Sequence, residues 1–477
     1  RVAEATPDLA AAWSEVGAAF FRAHDTASAA EAFQTAVDLD PENAEAWFNL
    51  GNVRESSGRS EDAIECYRRA TDIRPAFVKA HNNLGFVLNG LDRLDDAVLS
   101  YEAALREDPN NTDALTNMGN AWREQGNLDA ALEHYEKALE TDPACANAHG
   151  NILLTEHARP GATPAGILAR HLEWDARHGA PLQQSWPDHG NRADPDRRLK
   201  VGLVSADFGR HPVGYFTIGF FENHDPTELE LTGYCGRSPD PMTERFIKAA
   251  GHWVDIRGMT DADLAERVRA DGIDILFDLS GHTTNHRLAC FARKPAPVQI
   301  SWSGYPGTTG LRAMDYLVSD SVHTAAGDDD AHAERLIRMP ASFISYTAPD
   351  GVPDVGPLPR LENGLVTFGC FSNPAKINAD LLARWARIMR RLPDSRLVMT
   401  YQHLDAAENR RRIQETLAGH GIDASRVEIG GRRDPMELIS GYNGIDIAFD
   451  THPYSGGATT CEAIWMGVPV LTLPGST

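Results

Sequence analysis

Cysteine is scarce in this 477-residue chain, and the six present (Cys66, Cys145, Cys235, Cys290, Cys370, Cys461) lie far apart with no CxxC pair. That excludes a dense disulfide framework and points to a reducing, cytoplasmic setting with mostly buried or inert thiols. Long hydrophobic runs are missing too: no apolar stretch approaches the ~20 residues that span a bilayer, and no signal peptide is visible. Positive charge is in deficit, with 45 Lys and Arg against 68 Asp and Glu for a net charge of −23. Such acidity argues against general nucleic-acid binding and attachment to anionic membranes; otherwise it serves solubility. The remainder, 42% hydrophobic and 24% charged, is ordinary for a soluble protein. It is too long for one core, so two to four domains are expected. Arg1 is not an initiator methionine, which suggests a trimmed start with further repeats before it.

What is abundant is repetition. Pro7, Pro41, Pro75, Pro109 and Pro143 fall on a step of 34 residues. Gly17, Gly51, Gly85 and Gly119 keep the same step, as do Ala29, Ala63, Ala97 and Ala131, and Phe33, Tyr67, Tyr101 and Tyr135. A fixed period of this length means stacked helix pairs that cannot bury their apolar faces alone. Glycine and alanine allow close helix approach, the aromatic fills the gap against the next unit, and proline opens the next first helix. This is the tetratricopeptide pattern, an α-solenoid over residues 1–142, and such solenoids hold polypeptides on a concave face. Asn49, Asn83, Asn117 and Asn151 repeat on the first helices, with Glu15 at that place in the first repeat. A ladder of amides, donating and accepting together, can grip a peptide backbone; the alternative is that these amides bridge adjacent repeats.

Residues 143–197 read as a modified helix pair followed by a proline-rich polar linker over 180–197. From 198 the pattern turns to α/β. Short apolar strands at 198–205, 228–236, 273–281, 298–304 and 314–320, with amphipathic helices between several of them, indicate a parallel sheet covered on both faces, a lobe over 198–347. After a Pro/Gly-rich stretch the alternation restarts at VTFGCF (366–371), giving a second lobe over 348–477. There Asn378 is a plausible N-cap for a helix striped by Leu381, Leu382, Trp385, Ile388, Met389 and Leu392. Two Rossmann-like, doubly wound lobes place a cleft at the carboxyl ends of their strands. The chain stops at Thr477 directly after a strand, so the second lobe reads as truncated.

The strongest local signal is DTHPYSGGATTCEAIWMGVPVLTLPG (450–475). A strand ends at Asp450, a turn follows at Gly456 and Gly457, and a helix opens near Thr459. Free amides there, with the Thr459 and Thr460 hydroxyls, suit a diphosphate, and Glu462 suits ribose hydroxyls. The plainer alternative is a tight turn with N-capping threonines. Lys376 is the natural cation for that diphosphate, in a loop ordered by Asn373, Pro374 and Asn378, or else a solvated surface lysine. With no DxD pair nearby, nothing suggests a metal, and charge on a departing diphosphate falls to lysine and helix amides. In VSADFGRHPVGYF (204–216), Asp207 and His211 follow the first strand. They either position an acceptor hydroxyl or relay its proton, or His211 simply caps the next helix. GHTTNHR (281–287) and GYPGTTG (304–310) also follow strands, and their glycines allow close approach to a ligand; His282 and His286 have weak individual claims.

Taken together, the repeats and the motifs VSADFGRHPVGYF, DILFDLSGHT, RKPAPVQISWSGYPGTTG, TFGCFSNPAKI and DTHPYSGGATTCEAIWMGVPV resemble the protein O-GlcNAc transferase family across essentially the whole chain. Its SPINDLY branch, which uses a GDP-fucose donor, is similarly close in DLSGHT, NPAKI and TTCE. The resemblance implies a glycosyltransferase B fold and metal-independent, inverting transfer of GlcNAc from UDP-GlcNAc to Ser or Thr of proteins held by the repeats. It further implies that Lys376, Thr459, Thr460 and Glu462 hold the nucleotide, that Gly304 and Pro306 touch the sugar, and that Asp207, His211 and His157 belong to the active site, with no base assigned. The alternatives are a GDP-fucose-dependent protein O-fucosyltransferase, or a catalytically weak repeat scaffold. Leu438 stands where relatives carry a histidine beside the base, and relatives continue past the TLPG strand.

Overall fold

The structure is a computed structural model that describes residues 2–194 and 196–475, with side chains from residue 8 onward; Arg1 and Thr477 and the side chain of Pro7 lie outside the described residues. The chain divides into two compact units, one of residues 1–148, 373–375 and 399–433 and the other of 149–372, 376–398 and 434–477.

The first unit is built on helix pairs: α1 (Val2–Arg22) with α2 (Thr26–Leu39), α3 (Ala44–Ser56) with α4 (Ser60–Ile73), α5 (Val78–Gly90) with α6 (Leu94–Glu107), and α7 (Thr112–Glu124) with α8 (Leu128–Thr141). Each glycine of the repeating column seats the aromatic of its own repeat. A Cβ on Gly51 would lie 2.6 Å from Tyr67 Cε1 and one on Gly85 2.5 Å from Tyr101 Cε1, and Gly119 faces Tyr135 in the same way. The repeating prolines do not open helices. Pro41 and Pro109 lie in turns ahead of the N-caps Asn43 and Asn111, whose side chains accept the Ala46 and Ala114 N–H groups. Proline serves there by stiffening the turn, and its carbonyl accepts a side-chain proton from the helix that follows: Trp47 Nε1–H at Pro41 (3.0 Å) and His81 Nε2–H at Pro75 (2.8 Å). After each first helix one residue takes the left-handed conformation, again on a 34-residue step: His24, Gly58, Asp92 and Gly126.

The asparagine ladder is partly spent on the solenoid itself. Asn83 Nδ2 donates to Asn52 Oδ1 (2.9 Å), which also accepts the Tyr67 hydroxyl (2.8 Å), and Asn117 Nδ2 donates to Asn82 Oδ1 (3.0 Å). Asn83 and Asn117 thus bridge adjacent repeats, the alternative reading of these amides. Asn49 and Asn151 hold the same helix position and are half-buried.

In the second unit, α9 (Ala146–Ala158), which begins in the first, leads to α10 (Pro164–Trp174), and the helical path runs on through Asp175–Gly179 and Ala180–Ser185. The expected linker is therefore helical at its start. Farther on it is strapped down, with Asn191 Nδ2 (2.6 Å) and Arg197 Nη1 (2.7 Å) both donating to the Asp274 carboxylate. Then come β1 (Leu199–Ser205), α11 (Pro212–Asn223), β2 (Leu229–Cys235), α12 (Pro241–Ala249), β3 (His252–Asp255), α13 (Asp261–Asp271), β4 (Ile275–Asp278), α14 (Leu288–Phe291), β5 (Val298–Ser301), β6 (Tyr316–Asp320) and β7 (Arg335–Met339). The sheet order is β3-β2-β1-β4-β5-β6-β7, every neighbouring pair parallel. Because all strands run one way, the loops after β1, β4 and β5 emerge along one edge. Strand β7 has no counterpart in the sequence reading: RLIRM alternates exposed and half-buried residues and lies at the sheet edge.

The second sheet follows α15 (Pro359–Asn363). It comprises β8 (Thr367–Cys370), β9 (Arg396–Thr400) after α16 (Ala379–Arg391), β10 (Val427–Gly430) after α17 (Ala407–Gly419), β11 (Ile447–Phe449) after α18 (Pro435–Ser440), and β12 (Val470–Leu471) after α19 (Ala458–Trp465). Its order is β10-β9-β8-β11-β12, with β8, β11 and β12 parallel. Among the described residues no helix is long and apolar enough to cross a membrane.

The glycine column yields a direct test. Gly85→Val drives a side chain into Tyr101 and is expected to lower stability by about 1–3 kcal/mol. Gly90→Ala, at a glycine with nothing within 4 Å of its Cβ position, is expected to be neutral or slightly stabilising; urea unfolding of both variants measures the contrast.

Candidate active site

Between β11 and α19 the chain folds around one carboxylate. Asp450 Oδ1 accepts the N–H groups of Thr451 (2.8 Å) and Gly456 (2.7 Å), and Oδ2 accepts the Thr472 hydroxyl (2.7 Å). The turn requires glycine at 456, where a Cβ would lie 2.5 Å from Thr459 Oγ1 and 2.9 Å from Thr460 Oγ1. Gly457 is the N-cap of α19 and supplies no side-chain acceptor, so the first-turn amides are left to a ligand or solvent. Thr460 Oγ1 donates back to Gly456 O (3.0 Å), and Tyr442 buttresses the turn through its hydroxyl on Thr459 O (2.9 Å).

Lys376 meets this turn. Its Nζ lies 3.6 Å from the centroid of the Tyr454 ring and donates to Ser455 O (3.2 Å). Asn378 ties the same two loops: Oδ1 caps α16 at the Leu381 N–H (2.9 Å), while Nδ2 donates to His452 O (2.7 Å). Burial brings the Lys376 ammonium down to about 8, opposed by the Asp450 and Cys370 charges. Glu462, on the first turns of α19, is pushed up to about 7 by burial, and its Oε2 is buried without a hydrogen-bond partner. Lys376, Gly457, Thr459, Thr460 and Glu462 are therefore brought together. Asn373 belongs to the first unit, where its side chain accepts the Ala375 N–H (2.9 Å). Leu438 is half-buried in α18 and packs against the cluster of Phe371, Tyr442 and Ile445.

On the first lobe, His211 is the N-cap of α11: Nδ1 accepts the Val213 N–H (3.3 Å) and lies 3.7 Å from Asp207 Oδ1. Of the sequence readings of this histidine, the helix cap is the one these bonds display, with the Asp207 carboxylate nearby. An accepting Nδ1 leaves the imidazole proton on Nε2. Burial pushes Asp207 up and His211 down, each partly offset by the other. Gly304 is obligatory, because a Cβ there would collide with Leu279 O. Pro306 offers its carbonyl to His323 Nε2–H (2.8 Å), and the loop continues onto the buried Glu334, which accepts the Thr308 hydroxyl (2.6 Å) and the Thr309 N–H (2.7 Å).

His157 is buried on α9, its Nε2 3.1 Å from the Tyr305 hydroxyl, with Tyr454 of the second lobe 6.0 Å away between ring centroids. His282 and His286 act as loop ties: His282 Nε2 donates to Thr309 O (2.8 Å), and His286 Nδ1 accepts the Leu288 N–H (3.3 Å). Sequence reasoning missed Tyr305, His171 and Tyr454. Tyr305 stands between the two residues assigned to the sugar, Gly304 and Pro306, and Tyr454 inside the 450–475 motif, so both lay within reach; His171, on an ordinary helix, carried no signal. Among the described residues no group of three or more His, Cys, Asp or Glu is placed to hold a metal ion.

Residues 175–347 and 358–477 match the family model for glycosyl transferase family 41, and 17–76, 78–111 and 112–145 match tetratricopeptide repeat models. A Hordeum vulgare protein named probable UDP-N-acetylglucosamine–peptide N-acetylglucosaminyltransferase SPINDLY is 38% identical over 339 residues, 69% of this chain and 36% of that protein. An Arabidopsis thaliana protein of the same enzyme name, SEC, is 30% identical over 288 residues, 58% of this chain and 29% of that protein. The structure of a Thermobaculum terrenum O-GlcNAc transferase mutant superposes with a TM-score of 0.84 at 35% identity, covering 91% of this chain and 82% of that one. The chain spans about a third of the length of the curated relatives it matches.

Burial holds the Glu462 carboxyl protonated above the ordinary carboxylate range. Between the ordinary 4.5 and about 7, the folded chain keeps a proton that the unfolded chain has released, so stability falls as pH rises through that window. Glu462→Gln is expected to raise the melting temperature relative to the unaltered chain at pH 8, with the difference disappearing near pH 4; a fluorimetric melting series checks it.

Proposed function

We propose, for a chain that belongs to glycosyl transferase family 41, that it transfers N-acetylglucosamine from UDP-GlcNAc to Ser or Thr hydroxyls of protein acceptors, with inversion and without a metal cofactor. What carries the reading is the meeting of Lys376 with the glycine turn of α19. In it the Lys376 ammonium and the open amides of Ala458–Thr460 neutralise the diphosphate as the bond from its oxygen to the anomeric carbon breaks. Glu462, with an unpartnered buried oxygen, receives the ribose hydroxyls. Gly304 and Pro306 line the sugar side, where the absence of a Cβ at 304 lets the backbone come close. The acceptor oxygen attacks the anomeric carbon from the face opposite the leaving group, and its proton passes to a base near His157 or the Asp207–His211 pair.

The repeats hold the acceptor polypeptide. Since the Asn83 and Asn117 NH2 groups are engaged between repeats, peptide N–H groups would be received by the amide oxygens, with Asn49 and Asn151 extending the series. The six free thiols fit a reducing, cytoplasmic setting. A GDP-fucose donor is the second reading, suggested by the motifs DLSGHT, NPAKI and TTCE. A repeat scaffold with a weak lobe is the third.

Calorimetry with UDP tests the seat: Lys376→Met is expected to weaken binding at least tenfold and to lower turnover by about 10²–10³. Unchanged UDP affinity would overturn the site. Melting-temperature shifts with UDP, GDP and their sugars identify the donor, and no shift with any of them favours the scaffold.

A further inference from the structure

The second unit holds a line of hydrogen bonds whose direction is forced. His171 Nδ1 lies 2.7 Å from Ile167 O and its Nε2 lies 2.8 Å from the Tyr305 hydroxyl, which lies 3.1 Å from His157 Nε2. A carbonyl oxygen only accepts, so His171 carries its proton on Nδ1. Burial brings His171 down to about 4, so at neutral pH it has no second proton and Nε2 is an acceptor. The Tyr305 hydroxyl, held protonated by burial, must then donate to His171. Having a single proton, it can only accept from His157, which must donate from Nε2.

We propose that Tyr305 and His171 are positioning residues that lock His157 as the Nε2–H tautomer, leaving Nδ1 as its proton-accepting nitrogen. The lock is mechanically sound. His157, His171 and Tyr305 are 2%, 0% and 4% exposed, the His157 and Tyr305 rings meet edge to face at 5.3 Å, and Gly307 closes on His157, with a Cβ there only 3.0 Å from Cε1. Burial, together with the charge of Lys376, keeps His157 neutral. Orienting a histidine through the nitrogen it does not use is how a second group sets its basicity and aim. Here a phenol takes that part, a neutral partner that adds no charge beside the lysine. The link to turnover rests on the proposed sugar transfer; the tautomer does not.

The test uses the full chain labelled with ¹⁵N-histidine and long-range ¹H–¹⁵N correlation, the His157 signals being identified by their loss in His157→Asn. In the unaltered chain His157 is expected to show the Nε2–H pattern with an unprotonated Nδ1; an Nδ1–H pattern would overturn the proposal and needs no variant to be seen. In Tyr305→Phe, which removes only the hydroxyl, His157 is expected to redistribute between tautomers, and an unchanged pattern would likewise overturn it. If the chain transfers sugar, Tyr305→Phe lowers kcat about tenfold or more while UDP affinity stays the same. A chain that binds no nucleotide would remove the proposed function and leave the tautomer measurement standing.

Discussion

The carboxylate of Asp450 is the point on which the second lobe's site depends. Its acceptor positions hold the start of the loop at Thr451, the glycine turn at Gly456, and the strand beyond α19 at Thr472. With the loop gathered in this way, Ser455 and Tyr454 come under Lys376, and the opening turn of α19 is presented without a cap of its own. A carboxylate satisfied by backbone N–H groups also sets the local field, opposing the loss of charge that burial imposes on the nearby ammonium.

Much of this was legible beforehand, and for a physical reason. The repeat unit must pack on copies of itself, so its glycine, alanine and aromatic columns recur at fixed distance, and each glycine is found under the ring that demanded it. The sheet strands were legible because both faces of a parallel sheet are buried, leaving short apolar runs such as Leu199–Ser205. Strand β7 was not, since an edge strand tolerates the arginines of RLIRM. Lys376, Thr459, Thr460 and Glu462 could be singled out because motif and loop coincide in sequence. The partnership of His171 with Tyr305 crosses 134 residues, and nothing local announces a bond of that kind. Asparagine was legible as a ladder but not in its partners: the same amide serves a neighbouring repeat or a peptide, and only the packed repeats bring Asn52 to accept the Asn83 N–H.

The two lobes contribute opposite kinds of chemistry. The second supplies a cation, open amides and an acid with one unsatisfied oxygen, all suited to a polar ligand. The first, together with α9 and α10, supplies imidazoles held neutral by burial and fixed by carbonyl and hydroxyl partners. Charge and proton handling are thus kept on separate elements, with the rings of His157 and Tyr454 6.0 Å apart between centroids.

Asn378 has a consequence of its own. With one amide it ends the β8 loop, begins α16 and grips the 452 carbonyl, so the helix and the glycine-turn loop are joined. The loop is thereby tied to the N-terminus of a helix whose other face is set in the lobe's interior through Leu382, Trp385 and Met389. A displacement of that loop would be carried into the lobe's core through a single side-chain amide.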